Sequence, residues 1–384
     1  MDLHSLLSHA VEAGASDVHL KIGRPPVLRR DGSLAPLETW PVLGQEQLDD
    51  VLNTVAREDP ARRAAFDETG ELDLAYTPHG LPRFRVNGFR QRGSISFAFR
   101  LIPTDIPSFT ELHLPDGVAA LAEEQRGLVL CTGATGSGKS TTLAAILGHI
   151  NAARESHIVT IEDPIEFLHD DRKSIVNQRE VGLDTSSFGE GLRRALRQDP
   201  DVVLIGELRD AESAQTAMQA AESGHLVLST LHTVDAAESI GRIIEFFPPE
   251  KQQQVRSILA GVLRGVISQR LLPRIAGGRV PAVEVMVTNA RIEDLIRENR
   301  TDEIDEAIAE GGFYNMQTFG QALIDLVIAG EVEREVAADA ASNRHDFLVE
   351  LDHALKQHAV DTRTVEEEAA AEKVPGLRLA QGNR

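Results

Sequence analysis

The residues Gly133-Ala134-Thr135-Gly136-Ser137-Gly138-Lys139-Ser140 fill every fixed position of the phosphate-binding pattern G-x-x-x-x-G-K-S/T. Glycines in such a loop let backbone N–H groups wrap a β-phosphate, and the helix that follows presents its positive N-terminal end to it. Lys139 then spans the β- and γ-phosphates, while the Ser140 hydroxyl is a ligand for Mg²⁺. An apolar run over 128–132 precedes the loop and a helical pattern follows it, so the required strand–loop–helix context is present. The sequence therefore predicts a site for ATP and Mg²⁺.

Residues 121–290 alternate short, nearly continuous apolar runs with helical patterns. The runs cover 128–132, 157–161, 202–205 and 226–231. Strands that are buried on both faces and joined by helices form a mainly parallel sheet with helices on both sides. We therefore expect an α/β fold in which residues 121–290 form a P-loop nucleotide-binding core.

Residues 1–112 show a different pattern, with one amphipathic helix that ends at Gly14 and several short strand-like runs. The strand-like runs cover 17–22, 27–30, 72–76, 83–89 and 94–101. Turn pairs such as Asp31-Gly32 separate these runs, which predicts a small α+β domain. The stretch 103–117 contains three prolines and no long apolar run. It indicates a linker, which we place at 113–120.

The chain after residue 290 has the pattern of a helical region. Over 317–329 an apolar stripe is followed by Gly330, a typical residue for ending a helix. We expect helices over 291–360. Residues 361–384 contain a run of glutamates and few large apolar groups, which predicts a disordered tail.

Composition narrows the class of protein. The formal net charge of the 384 residues is −21, whereas a general nucleic-acid binder shows a basic surface, and direct docking on anionic lipid needs basic residues as well. The single cysteine, Cys131, excludes a disulfide framework and a four-cysteine zinc site, and its apolar neighbours indicate a buried small hydrophobe. No apolar stretch approaches the roughly 20 residues of a membrane helix, and the N-terminus lacks a basic-then-apolar signal pattern. We expect a cytoplasmic protein without zinc, nucleic acid or direct membrane insertion.

Polar segments follow three of the predicted strands, where an open parallel sheet places its functional groups. Residues 162–166 read EDPIE, which also suits a solvated turn. The run 202–205 leads into Gly206-Glu207, the form taken by a carboxylate that positions Mg²⁺ and water in P-loop ATPases. His225 and His232 bracket the run 226–231, although a histidine there is also an ordinary polar side chain. Together with a complete phosphate loop, these segments predict a hydrolytic site.

Four segments in this order resemble the sequence boxes of the ATPases that serve type II secretion and type IV pili. They are GATGSGKSTTLAA (133–145), IVTIEDPIEF (158–167), LRQDPDVVLIGELRD (196–210) and GHLVLSTLHT (224–233). Within that superfamily the chain most resembles the pilus retraction motors of the PilT/PilU group. The segments GASDVHL, RFRVNGF and MQTFGQAL extend the likeness over roughly residues 1–355. The resemblance implies a RecA-like core behind a PAS-like domain, in a hexameric ATPase that retracts pili at an inner-membrane platform protein, peripheral to that membrane through its partners.

The same resemblance implies roles in nucleotide binding and hydrolysis. Lys139 and Ser140 match the Walker A lysine and Mg²⁺ ligand, with Thr141 next to them in the nucleotide site. Glu166 matches the glutamate that activates water as a base. Glu207 matches the Walker B glutamate, which lies near Mg²⁺ directly or through water.

The resemblance also implies residues that respond to nucleotide. His225 and His232 match the histidine box, which senses nucleotide and links it to subunit contacts. Arg85 and Arg100 match arginines of the first domain that close onto the phosphates, and Arg242 occupies the position of an inter-subunit arginine. Cations brought in by domain closure would neutralise charge on the transferred phosphoryl group, as arginine fingers do.

Two departures from the superfamily patterns bear on the direction of force. Assembly motors usually carry a tetracysteine zinc insert, which this chain cannot form, and this favours retraction. The retraction motif AIRNLIRE is matched by RIEDLIRE at 291–298, with Glu293 at the first arginine of the motif. This charge reversal and the extended tail leave two alternatives, a main retraction motor or an accessory motor that works with a paralogue.

Other classes of P-loop protein are alternatives to a retraction motor. Secretion, pilus-assembly and DNA-uptake ATPases belong to the same superfamily. A small-molecule kinase needs a second substrate pocket with an arginine-rich lid, and no such segment lies between the boxes. The net charge of −21 opposes a ring helicase or DNA-packaging motor. The intact Glu166 and Glu207 oppose a regulatory subunit that binds ATP without hydrolysing it.

Overall fold

The structure is a computed structural model that describes residues 2–30, 32–57 and 60–372. The chain forms two compact units. The first runs to Ile106 and also includes Ile165–His169, while the second contains Pro107–Pro164 and the chain from Asp170 onward. The assignment of all residues 121–290 to one core is therefore wrong for the short segment that carries Glu166.

The first unit is an α+β domain. Its helices are α1 (Leu3–Glu12), α2 (Gln45–Val55) and α3 (Pro60–Thr69), and its strands are β1 (Asp17–Lys21), β2 (Val27–Arg30), β3 (Ser33–Pro36), β4 (Glu71–Tyr76), β5 (Phe84–Gln91) and β6 (Ser94–Leu101). The strands form an antiparallel sheet in the order β3-β2-β1-β6-β5-β4. Apolar side chains from the sheet and from α1 and α2 form one core around Phe66, Phe97 and Phe99.

Two helices and one strand of the first unit were not predicted. The predicted strands at 27–30 and 94–101 have the observed bounds, but α2, α3 and β3 are additional. The buried side chains of α2 recur at helical spacing, at Leu48, Val51, Leu52 and Val55. A signal for α2 was therefore present in the sequence.

The second unit is built on a seven-stranded sheet. Its strands are β7 (Gly127–Thr132), β8 (His157–Glu162), β9 (Ile175–Glu180), β10 (Val202–Ile205), β11 (Leu226–Leu231), β12 (Leu263–Pro273) and β13 (Arg279–Val287). They lie in the order β13-β12-β7-β11-β10-β8-β9, and only the β12–β13 pair is antiparallel. The expected mainly parallel sheet of an α/β fold is confirmed.

Helices cover both faces of this sheet. They are α4 (Asp116–Ala122), α5 (Lys139–Ala153), α6 (Phe188–Ala195), α7 (Ala211–Glu222), α8 (Ala236–Glu245), α9 (Pro249–Val262), α10 (Ala290–Arg297), α11 (Ile304–Ala309), α12 (Phe319–Ile328), α13 (Arg334–Ala340) and α14 (Arg344–Glu372). One face packs α5 against Val129 and Leu226, and the other packs α7 and α8 against Leu128 and Val227. Phe319 on α12 and Phe347 on α14 pack against β12 and β13 in a separate cluster. Among the described helices, none is both long and apolar enough to cross a lipid bilayer.

Two predicted boundaries differ from the structure. The linker at 113–120 is wrong, because α4 begins at Asp116 and buries Val118 and Leu121 against β13. The boundary between the two units follows Ile106 instead. The prediction of a disordered tail from residue 361 is wrong for residues 361–372, because α14 continues to Glu372. Alanine and glutamate dominate this stretch, and both favour helix. Residues 373–384 lie outside the described part of the chain.

Candidate active site

The phosphate-binding loop 133–140 joins the end of β7 to the start of α5. Every residue of β7 is buried, because the strand lies inside a parallel sheet with helices on both faces. Three loop glycines adopt left-handed φ angles, which other residues rarely adopt: Gly133 (+139°), Gly136 (+81°) and Gly138 (+95°). A Cβ atom on Gly133 would approach the backbone oxygen of Gln269 to 2.4 Å, so only glycine fits that position.

Lys139 is buried despite its charge, with 8% of its surface exposed. Its Nζ donates hydrogen bonds to the carbonyl oxygens of Gly133 at 2.7 Å and Ala134 at 3.0 Å. Both acceptors belong to the loop itself. The loop therefore curves around the ammonium group.

Other groups of the loop fit a phosphate ligand. The first N–H groups of α5 have no acceptor within the helix, and its N-cap residue, Gly138, has no side chain to supply one. Within the described residues, the buried Ser137 hydroxyl has no hydrogen-bond partner. A Cβ atom on Gly136 would meet open space, so the loop is not filled on that side. Lys139, these N–H groups and the hydroxyl of Ser140 would hold a nucleoside triphosphate.

Gln269 on β12 lies beneath the loop and was missed by sequence reasoning. Its Oε1 accepts a hydrogen bond from Thr142 Oγ1 at 2.9 Å, and the Sγ of Cys131 lies 3.8 Å from the same oxygen. Burial raises the pKa of the Cys131 thiol to about 12, which makes it the inert small hydrophobe expected from the sequence. Residue type and local spacing do not mark Gln269, because its partners are more than a hundred positions away in the chain.

Glu207 follows β10 and has two basic neighbours. Its Oε2 accepts a hydrogen bond from Arg209 Nε at 2.8 Å, and His232 Nε2 lies 3.3 Å from its Oε1. The bond to Glu207 raises the pKa of Arg209, and the same guanidinium lies 3.9 Å from a carboxylate oxygen of Asp163. Sequence reasoning missed Arg209, although it stands two residues after Glu207. Mg²⁺ prefers oxygen ligands, and Glu207 and Ser140 both carry such oxygens.

Strand register brings these groups to one edge of the sheet. Leu231 on β11 pairs with Thr132 on β7, so His232 and Gly133 leave their strands at the same level. The Thr230 hydroxyl donates to the carbonyl oxygen of Gly206 at 2.6 Å, which links β11 to the residue before Glu207. The phosphate loop, Glu207 and His232 therefore all follow the carboxyl ends of neighbouring parallel strands, where α/β sheets bind ligands.

His225 lies at the opposite edge of the same sheet. Its backbone oxygen accepts a hydrogen bond from the N–H of Gly127, the first residue of β7, and its Nδ1 lies 2.9 Å from the carbonyl oxygen of Ala220. The six residues of β7 separate that edge from the phosphate loop, a distance of about 15–20 Å at ~3.3 Å per residue. His225 therefore lies away from the phosphate loop of its own chain, because it precedes β11 whereas His232 follows it, and its role in sensing nucleotide stays a prediction.

A cleft of ≈ 690 Å³ opens beside Glu207 and His232, and Arg242 on α8 also lines it. The Arg242 guanidinium lies 5.1 Å from the ring centroid of Phe246 and 3.6 Å from a carboxylate oxygen of Glu245. The structure thus brings Arg242 to the same cleft as two other predicted site residues.

Three predicted site residues belong to the first unit. Arg85 and Arg100 face each other in register on β5 and β6. Arg100 Nε donates a hydrogen bond to Asp17 Oδ1 at 2.9 Å. Burial alone would raise the pKa of Asp17, but this bond and others lower it, and the pKa lies below its usual value. Arg85 lies 4.0 Å from a carboxylate oxygen of Asp73. Glu166 is exposed in the segment Ile165–His169.

A parallel sheet with a complete phosphate loop, and with a carboxylate and a histidine at the neighbouring strand ends, defines a P-loop nucleotide-binding protein. Residues 108–311 match the Type II/IV secretion system protein family. The chain is 45% identical over 352 residues to the type IV pilus retractation ATPase PilT of Pseudomonas aeruginosa. The aligned region covers 90% of this chain and 100% of the relative. It therefore belongs to the Type II/IV secretion system protein family, and the resemblance found in the sequence is confirmed.

Two further similarities support this membership. The type IV pilus ATPase PilU of Pseudomonas aeruginosa is 40% identical to this chain over 348 residues. The aligned region covers 90% of this chain and 90% of the relative. A crystal structure of the pilus retraction motor PilT with bound ADP matches with a TM-score of 0.84 and 44% identity, over 90% of this chain and 98% of that chain. The match extends over both units of the chain.

Proposed function

We propose that this chain is a mechanochemical ATPase that couples ATP hydrolysis to type IV pilus retraction, as the main motor or an accessory one. The observation that carries the proposal is the complete phosphate loop around Lys139, with Glu207 and His232 at the neighbouring strand ends. The similarity to PilT and PilU over 90% of the chain supports the part of the proposal that concerns type IV pili and their retraction.

Lys139 has to change partners for this reaction. To contact a γ-phosphate, its Nζ exchanges the carbonyl oxygens of Gly133 and Ala134 for phosphate oxygens. Ser140 and Glu207 would hold Mg²⁺, which neutralises phosphate charge when bound. His232, whose Nε2 lies 3.3 Å from a carboxylate oxygen of Glu207, would help to orient that carboxylate.

Other groups of the proposed site come from outside the phosphate loop. Glu166 would act as the general base toward the attacking water. Arg85 and Arg100 would approach the phosphates when the first unit closes, and Arg242 would contact a neighbouring subunit. These arginines would neutralise charge that develops during phosphoryl transfer.

The proposed working form is a hexameric ring in the cytoplasm, held at the inner membrane by a pilus platform protein. A paralogous motor would be a further partner if this chain is the accessory type. Completing each site with groups from a mobile unit or a neighbour makes activity depend on ring formation.

Substitutions of the proposed catalytic groups test the chemistry. Lys139→Ala should abolish turnover and weaken nucleotide binding, because the γ-phosphate loses the cation of the loop. Glu207→Gln and Glu166→Gln should retain ADP binding but lower the ATPase rate by at least ~10². Glu222→Gln, at the exposed end of α7, is the matched control and should stay within about twofold of wild type. Wild-type rates in both site glutamate variants would remove them from the active site.

A genetic experiment tests the coupling to pili. In the organism that encodes this chain, deletion of its gene should leave pili that extend but do not retract normally. The wild-type chain supplied in trans should restore retraction, and the Lys139→Ala variant should not. Normal retraction after deletion of this gene and of any paralogue would contradict the proposal.

A further inference from the structure

Glu284 is a buried carboxylate outside the residues assigned so far. It lies on β13 with 3% of its surface exposed, and it pairs in register with Ser268 on β12. Its Oε1 accepts a hydrogen bond from the backbone N–H of Ala236 at 2.9 Å, and the neighbouring Ser268 side chain also lowers the pKa of this carboxyl group, against the larger effect of its burial. A buried carboxylate is costly unless hydrogen bonds or cations compensate it. The nearby carboxylates of Asp305 and Asp235 increase that cost.

On one side of Glu284, Ser268 and Thr132 connect it to the phosphate loop. The Thr132 hydroxyl donates to Ser268 Oγ at 3.1 Å, and both side chains are fully buried. Thr132 is the last residue of β7, and Gly133 follows it directly. A buried polar chain therefore runs from Glu284 through Ser268 to the residue before the loop.

On the other side of Glu284, Ala236 connects it to the segment that follows His232. Ala236 is the first residue of α8, and only residues 233–235 separate it from His232. These few residues are held tightly: the Thr233 hydroxyl contacts Ser239 Oγ at 2.6 Å, and the Asp235 side chain accepts from the N–H of Glu238 at 2.8 Å. The bond from Ala236 to Glu284 thus determines where the segment after His232 enters its helix.

Stability alone does not account for a carboxylate at this position. Well-packed apolar side chains often replace buried charged groups without loss of stability. A fully bonded polar network instead specifies one arrangement of the segments that it joins. Here the joined segments are the end of β7 and the start of α8, which flank the proposed site.

We propose that Glu284 is a positioning residue for ATP hydrolysis, which holds His232 against Glu207 through the N–H of Ala236 and ties this arrangement to the phosphate loop through Ser268 and Thr132. This inference rests on the proposed ATPase function. Glu284 does not touch the nucleotide. It acts on the rate of the chemical step rather than on nucleotide affinity.

The test compares kcat, KM for ATP and ADP affinity in a small set of variants. Glu284→Met fills the space with only a weakly accepting thioether sulfur. It should lower kcat at least ~10-fold while KM and the ADP Kd stay within about threefold, because catalysis is sensitive to small misplacements. Glu284→Gln retains an acceptor for the Ala236 N–H and should keep kcat within about threefold. Ser268→Ala removes one hydroxyl and should lower kcat by about three- to tenfold.

Val283→Ala is the matched control for destabilisation. Val283 is also buried on β13, but it packs on the other face of the sheet with Leu226 and Val129. Its variant should lose thermal stability and retain kcat. If Val283→Ala loses as much kcat as Glu284→Met, the effect is general damage and the inference is wrong.

The remaining outcomes separate this inference from the proposed function. If Lys139→Ala is inactive while Glu284→Met or Ser268→Ala has wild-type kcat, the positioning role is overturned and the ATPase function stands. A parallel loss of kcat and ADP affinity in Glu284→Met also overturns it. If Glu284→Met does not fold, the Ser268→Ala result decides. If Lys139→Ala turns ATP over at the wild-type rate, the proposed function itself fails.

Discussion

The ionisation of Glu284 should make the second unit less stable as pH rises. Burial, with a smaller contribution from Asp305, raises the pKa of Glu284 from 4.5 to about 7 against the opposing bond from Ala236. Below pH 4.5 the carboxyl group is protonated in both the folded and the unfolded chain, so it causes no difference in stability. Between pH 4.5 and 7 the unfolded chain releases this proton first, which favours unfolding. Above about pH 7 the full penalty is present.

The size of this effect follows from the two pKa values. Each pKa unit corresponds to about 1.4 kcal/mol, so a rise from 4.5 to about 7 costs about 3 kcal/mol at alkaline pH. Glu284→Gln removes the titration and retains an acceptor for Ala236. The free energy of unfolding of the variant relative to wild type should therefore increase by about 3 kcal/mol between pH 4.5 and pH 8.

Urea titrations at several pH values measure the difference. Circular dichroism follows both units, and the single tryptophan, Trp40, lies in the first unit and reports on that unit alone. The Trp40 transition should be the same in variant and wild type at every pH. The other transition should move to higher urea in Glu284→Gln, and increasingly so toward pH 8. Parallel pH curves for the two proteins would show that Glu284 does not titrate with a raised pKa, and the reasoning would be refuted.

Two further predictions concern the first unit and the assembly. Arg100→Ala deprives buried Asp17 of its closest cation and should cost about 1–2 kcal/mol of stability, whereas Arg85→Ala, with its partner Asp73 at 4.0 Å, should cost less than about 1 kcal/mol. If both arginines reach the γ-phosphate, each variant should lose much more ATPase rate than ADP affinity, and unchanged rates would show that the first unit does not complete the site. Size-exclusion chromatography with light scattering in Mg²⁺ and an ATP analogue should show a hexamer. A monomer that hydrolyses ATP at full rate at every concentration would contradict the ring.

The phosphate loop and the central strands can be read from local patterns of residues. The loop 133–140 is recognised from residues that are adjacent in the chain, because its glycines and its lysine act within one turn of backbone. The strands β10 and β11 have the bounds predicted from their apolar runs. Strands buried on both faces need apolar side chains at every position, so their signal is strong and local.

The apolar patterns that predicted the central strands did not predict β12 and β13, the antiparallel pair at the edge of the sheet. The strand β12 begins at Leu263, directly after α9, without turn residues to mark the change. The strand β13 contains Pro281 and Glu284, which are unfavourable in a central strand, but an edge position tolerates a proline. Whether a strand lies at an edge depends on which neighbours pair with it, and that is not a local property.

Contacts between side chains that are distant in the chain could not be predicted without the folded structure. It placed Gln269 beneath the phosphate loop, Glu284 against Ala236, and His225 at the edge opposite His232. Each of these results depends on strand order and register, which place residues from distant parts of the chain side by side. The sequence contains the hydrogen-bonding groups, but packing of the whole sheet selects their partners, because a buried polar group takes whichever complementary group the fold brings within reach.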